Sequence, residues 1–281
     1  MTQRDVSHPT RPHPAVIHRT VSNSPLFFAR LAGVLYLVNI ACGLFGEAIA
    51  RGHLVVPGNA ALTAHHIAAS ELLFRAGILG DLLMHLTDVP MTIIFYFLLK
   101  PINRDLSLLS AMFGFLQTAI LCANKLTLVL VLVLLGNGLG TGYGGGADLR
   151  GFAPAQLQSL ASLALTMHEN GFAVGLIFFA FSAISGGYLM FRSGYFPRIL
   201  GILQISAGLC YLINSSALLL NPTFAARLFP GILIPAFLGE FGTCLYLLIR
   251  GLNLPKWNEL AEIQKEYRPV FADNLASKSA Q

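Results

Sequence analysis

Six long apolar runs between Arg30 and Arg250, separated by short connections that alternate in charge, limit this chain to one kind of architecture. A helix crossing the roughly 30 Å hydrocarbon layer needs about 20 mainly apolar residues. The runs Leu26–Ile49, Leu72–Leu99, Leu106–Leu135, Leu163–Phe191, Ile199–Leu220 and Ile232–Ile249 all meet that length. They are apolar on every side, without the two-residue alternation of a membrane barrel, so helices that satisfy their own backbone are the reading. The fold class expected is all-α: a polytopic membrane protein with a six-transmembrane-helix bundle. Composition agrees, with 55% hydrophobic and only 11% charged residues, against about 25% charged in soluble proteins.

Lys and Arg near span ends set the expected orientation. Arg4, Arg11, Arg19, Arg30, Lys100, Arg104, Arg192, Arg198, Arg250, Lys256, Lys265, Arg268 and Lys278 fall on one side. Arg51, Arg75, Arg150 and Arg227 fall on the other, and Lys125 lies inside a span. Both termini are therefore expected in the cytoplasm, in a multipass protein of the cell (inner or plasma) membrane. This bias accounts for the net charge of +5, so no nucleic-acid partner is expected. The partners expected are the lipid bilayer and a proton or small cation.

Residues 1–25 form no signal peptide and read as a disordered cytoplasmic tail, with His8, His13 and His18 a weaker metal-binding alternative. Residues 26–250 form the transmembrane domain. Residues 251–281 form a second cytoplasmic tail, in which Trp257, Leu260, Ile263 and Tyr267 recur at helical spacing. That pattern fits a short amphipathic helix on the inner leaflet or a solvated tail. Gly140, Gly142 and Gly145 match G-x-G-x-x-G, but with no preceding strand they read as part of a flexible glycine-rich loop. Gly171 and Gly175 form a G-x-x-x-G in the fourth span, which permits close helix approach within the chain. Cys42, Cys122, Cys210 and Cys244 lie singly inside spans, which argues against a disulfide framework or a structural zinc site. Pro90, inside the second span, removes a helical hydrogen bond and should bend that helix.

Polar residues inside the spans carry the functional signal, because a charge near the bilayer centre faces protein or a wet cavity. Asp81, His85 and Asp88 share one face of the second span. Lys125 and Asn124 lie in the third span, His168, Glu169 and Asn170 in the fourth, Asn214 in the fifth and Glu240 in the sixth; Glu47 is near the end of the first. Counting about 1.5 Å per residue from the outer ends places Asp81, Lys125 and Glu240 nearly level, roughly 12–15 Å deep. Lys125 is expected to pair with Asp81, Glu240 or Glu169, and with Asp81 in particular. The other carboxylates must then be hydrated, protonated or bound to a cation.

The expected site is thus a buried acidic and histidine pocket in the outer half of the bundle: Asp81, His85, Asp88, Lys125, His168, Glu169 and Glu240. Its expected use is as a carrier or sensor of a proton, cation or small cationic solute. Two alternatives stay open. One is an accessory membrane protein whose polar groups pair with one another. The other is an intramembrane metal hydrolase with Asp81, His85, Asp88 and His168 as ligands. No H-E-x-x-H motif supports the hydrolase, no catalytic residues are assigned, and no cofactor is expected.

Several stretches resemble the family called domain of unknown function 4386. They are Arg30-Leu31-Ala32-Gly33-Val34-Leu35-Tyr36-Leu37, Val55-Val56-Pro57-Gly58 and Leu73-Phe74-Arg75. His168 with Gly171-Phe172, Gly187-Tyr188-Leu189 and the run from Arg192 to Gly201 add to them, as do Glu240 and Leu247-Leu248-Ile249-Arg250-Gly251. Tyr246 stands where the family pattern has Trp. The resemblance spans about residues 26–252 and implies a multipass membrane protein without supplying an activity.

Overall fold

The computed structural model describes residues 24–136, 149 and 151–264. The expectations for residues 1–23 with His8, His13 and His18, for Gly140, Gly142 and Gly145, and for Tyr267 with the residues after 264 lie outside the described residues. Six helices are long and apolar enough to cross a membrane: Pro25–Leu54, Glu71–Leu99, Arg104–Gly136, Pro154–Ser193, Arg198–Leu220 and Gly231–Ile249. No strand occurs among the described residues. An even number of crossings puts the start of the first span and the end of the sixth at one end of the bundle, here called the terminal end. The opposite end is called distal.

The spans form a ring in chain order. Each packs on the next, and the sixth closes on the first. Chain order around a ring is what short connections between antiparallel helices favour. The ring turns polar residues inward and apolar ones outward. On the second span Leu79, Leu83, Leu86, Ile93 and Phe97 are exposed, while Asp81 and His85 are buried. An apolar outer belt of this extent suits hydrocarbon rather than water.

Two spans differ from the lengths expected. The first runs five residues past Ile49, through a π-helical segment, Phe45–Arg51, to Leu54. Arg51 therefore belongs to the bundle, not to a connection. Its charge is tolerated there because Glu47, one turn back, accepts from Nε at 2.9 Å. The fourth helix has 40 residues, about 60 Å of helix, so its first turns stand beyond any hydrocarbon layer. Its start is capped by Gln156, whose side chain accepts from the Ala153 N–H at 2.8 Å. It stops at Gly194, which takes a left-handed φ of 67°, the usual glycine C-cap. The second span stays a continuous helix through Pro90.

An apolar cluster lies toward each end of the ring. The distal cluster joins Leu54, Ile67, Phe74, Leu128, Val131 and Leu157. Part of it comes from a helix absent from the expected architecture, Ala60–Ala69, which packs across the fourth span. The terminal cluster joins Ala29, Leu98, Leu189, Tyr195, Phe196 and Leu247. A helix over 254–264 lies against it. Leu254, Trp257 and Leu260 pack on this cluster, and Trp257 Nε1 donates to the Leu98 carbonyl at 3.0 Å. Gln264 Nε2 donates to the Lys100 carbonyl at 2.8 Å. These carbonyls at the end of the second span have no partner one turn on in their own helix, so the C-terminal helix and Tyr195 act as their cap. The Tyr195 hydroxyl also donates to Leu98, and burial pushes the Tyr195 phenol up from its ordinary range.

Candidate functional site

The residues expected to share one pocket divide into two groups. The distal group is a closed ionic cluster. Arg51 grips Asp81 with two nitrogens, Nη1 to Oδ2 at 2.7 Å and Nη2 to Oδ1 at 3.2 Å. Lys125 Nζ donates to the same Oδ2 at 2.9 Å. With Glu47 on the outer side of Arg51, two acids meet two bases. Asp81 and Lys125 are 1% and 2% exposed, and a buried charge at that depth persists only when paired. The predicted contact between Lys125 and Asp81 is present, and Arg51 is the partner that sequence reasoning missed. Its signal was the four-residue spacing of Glu47 and Arg51.

Small residues make this contact geometrically feasible. A Cβ on Gly46 would overlap the Asp81 carboxylate, and one on Gly77 would lie 2.7 Å from the Ala50 Cβ. The same device joins the third and fourth spans. A Cβ on Gly171 would collide with the Asn124 amide, and one on Gly175 with Leu121. The G-x-x-x-G is thus an intrachain seam. His168 sits in that seam, 4% exposed. Its backbone carbonyl accepts from Asn124 Nδ2 at 2.8 Å, and its Nδ1 is 3.2 Å from Thr127 Oγ1. Glu169 is exposed and does not join the cluster.

The second group lies toward the terminal end of the Arg51–Asp81–Lys125 cluster, at the centre of the ring. All six spans line a cavity of about 230 Å³. Tyr36 and Asn39 come from the first span, Asp88 and Met91 from the second, and Gln117 from the third. Phe172 and Phe179 come from the fourth, Gln204 and Tyr211 from the fifth, and Glu240 from the sixth. Two carboxylates face this space, and no Lys, Arg or His lines it. Asp88 is held by Asn39, whose Nδ2 donates to Oδ1 at 2.7 Å, and by His85 Nδ1, 3.2 Å from Oδ2. Glu240 Oε1 accepts from the Tyr211 hydroxyl at 2.8 Å.

The position of Glu240 corrects the depth count. Counting residues from span ends assumes that all spans start in one plane. The sixth span has 19 residues and the second 29, so equal counts do not mean equal depth. Glu240 joins Asp88 rather than Asp81, and the acidic pocket lies toward the termini instead of in the opposite half. His85 stands behind the wall, 1% exposed. Its Nε2 has no hydrogen-bond partner, and neither has Gln204 Oε1. A buried acceptor or donor left unpaired costs about 1–3 kcal/mol. Among the described residues no three His, Cys, Asp or Glu side chains are placed to hold a metal ion, so Asp81, His85, Asp88 and His168 do not form the ligand set considered for a hydrolase.

Phe172 joins the two groups. Its ring lies 5.5 Å from Lys125 Nζ on one side, and it lines the cavity on the other. Along the bundle axis the order is therefore distal apolar cluster, Arg51–Asp81–Lys125 cluster, Phe172, acidic cavity, terminal apolar cluster. Several cavity residues had a legible pattern. Tyr36, Asn39, Gly43, Gly46 and Ala50 recur at steps of three and four on the first span, as one helix face requires, and Gln204, Gly208 and Tyr211 repeat this on the fifth.

Comparison with other proteins places the chain without assigning it an activity. An uncharacterized protein of Archaeoglobus fulgidus is 28% identical over 177 residues, 63% of this chain and 85% of that protein. No solved structure matches. Residues 31–251 match the family described as Domain of unknown function (DUF4386), nearly the whole six-span ring, and the chain belongs to that family.

Proposed function

We propose that this is a carrier or sensor of a small cationic solute or proton, acting through the central cavity. The single observation behind it is that two carboxylates, Asp88 and Glu240, face one central cavity that no Lys, Arg or His lines. Uncompensated carboxylates in a low-dielectric interior are costly. A protein that wanted neutrality alone has the means, as the neighbouring Asp81 cluster demonstrates. Leaving Glu240 with a phenol and Asp88 with only an amide and an imidazole invites a cation from outside the chain. The position of the cavity, between an apolar cluster toward each end of the ring, suits the carrier form of this reading, in which a site near the middle is reached from one side at a time.

The proposal includes topology. Both termini lie in the cytoplasm and the ring spans the cell membrane. With Arg51 inside the bundle and paired, the remaining Lys and Arg near span ends favour the terminal side more strongly still. Reporter fusions at Gly144 and after Gln281 should then report opposite sides, and reports of the same side overturn the topology.

Binding is tested on purified full-length protein in lipid nanodiscs, by thermal unfolding against a panel of protons, alkali and alkaline-earth ions and small ammonium ions. A ligand held at 100 times its Kd should add about 2.7 kcal/mol of stability. That gain should vanish in Asp88→Asn and Glu240→Gln and survive in Glu169→Gln. A panel that shifts nothing, or shifts all variants alike, removes the proposal.

A further inference from the structure

The cavity also restricts which cation it suits, an inference that rests on the cationic reading above. A bare metal ion asks for about six or more oxygen ligands at 2.0–2.6 Å. Here most of the wall is carbon and sulfur, and the space is about 230 Å³, much larger than one ion. A cavity of roughly 150 Å³ already holds benzene, so this one has room for an organic molecule slightly larger. Its aromatic lining includes Tyr36, Phe95, Phe172 and Tyr211, and aromatic faces attract an organic cation.

The hydrogen-bonding groups narrow the class further. Tyr211 already donates to Glu240, and Asn39 and His85 already serve Asp88. Gln204 lines the same cavity, is 8% exposed, and its Oε1 has no partner. That oxygen is buried against the sixth helix, where a Cβ on Gly239 would be 3.2 Å from it, and does not open onto the cavity. Glu240 Oε1 already accepts from the Tyr211 hydroxyl, and the rest of this carboxylate calls for a donor that also carries positive charge. A quaternary ammonium has the charge and no N–H. A metal ion has the charge but no use for the aromatic walls.

We propose that the cavity takes a protonated primary or secondary amine with a compact apolar body, its N–H groups directed to the Glu240 carboxylate and its apolar part against the aromatic walls. Phenethylammonium is a suitable probe. Its N,N,N-trimethyl derivative keeps the charge and body but lacks the donors. The alcohol 2-phenylethanol keeps the body and lacks the charge.

The test is calorimetric titration of the full-length protein in nanodiscs with these three compounds and with Na⁺, K⁺ and Ca²⁺. Phenethylammonium should bind at least about tenfold more tightly than each of the others, the difference one charge-assisted hydrogen bond makes. Glu240→Gln should remove the preference for phenethylammonium over its trimethyl derivative. Equal or tighter binding of the trimethyl compound, or binding of a metal ion alone, overturns the amine assignment and leaves the cationic reading standing. Equal binding of the alcohol, or no binding by any cation, overturns both.

Discussion

The Asp81 cluster and the Asp88–Glu240 cavity pose the same physical problem and solve it differently. Each holds carboxylates inside a membrane-spanning ring. Around Asp81 the chain supplies its own counter-charges, Arg51 and Lys125, at 2.7 and 2.9 Å. Around Asp88 and Glu240 it supplies amide, imidazole and phenol groups and about 230 Å³ of space. The first arrangement is complete and rigid, which suits a strut between the first three spans. The second is incomplete in charge, which suits a site. A buried acid in a membrane protein is therefore informative only once its partners are known.

The comparison is most directly broken by charge removal. Asp81→Asn leaves Arg51 and Lys125 facing each other without the carboxylate between them, and should cost about 3–5 kcal/mol in unfolding experiments. Lys125→Met should cost less, because Arg51 keeps its two contacts with Asp81. The double variant should lose less than the sum of the singles. Strict additivity would mean that the two residues do not form a unit.

Shape comes next. Gly46→Ala and Gly171→Ala place a methyl group into Asp81 and Asn124, and overpacking of this kind costs about 1–3 kcal/mol. Thermal unfolding indistinguishable from wild type would show that the seams are looser than described.

In the cavity the expected sign changes. Glu240→Gln removes a charge without a basic partner and Asp88→Asn one that meets no Lys or Arg, so the ligand-free protein should be unaltered within about 0.5 kcal/mol or gain stability. A loss as large as that of Asp81→Asn would erase the contrast between the two regions.

Among the variants expected to lose stability, the smallest loss should come from the terminal cap. Trp257→Phe removes one hydrogen bond to Leu98, about 1 kcal/mol. Tyr195 adds a pH dependence. Its folded pKa is raised, so its contribution is complete below the ordinary phenol value of about 10 and is lost as pH rises through the folded value. Tyr195→Phe should flatten that part of an alkaline unfolding profile.

Much of the fold was legible because hydrocarbon leaves a chain few choices. Every backbone polar group must be paired within the span, so six apolar runs of sufficient length specify six helices. The side-chain period then specifies faces, which is why Asp81, His85 and Asp88 could be read as one inward stripe. The Asp81–Lys125 contact followed from two neighbouring antiparallel spans with opposite charges at similar depth. Arg51 was misplaced because the apolar run ends at Ile49, before the polar stretch of Arg51, Gly52 and His53. Only the fold supplies the neutralising Asp81, 30 positions later in the chain, that lets the helix continue.

What the sequence determined by itself is local: span number, helical state, inward faces, and the family to which residues 31–251 belong. These depend on composition and on spacings within one helix. Tertiary structure alone decided which acid is neutralised by Lys and Arg of the chain and which is left facing the cavity. Asp81, His85 and Asp88 share one helix face, yet Asp81 meets two bases while Asp88 meets Asn39, His85 and a cavity shared with Glu240. The reason is that span offset, helix length and the glycine seams set which residues of different helices come level, and Coulomb attraction is decided over the last few ångströms of that approach.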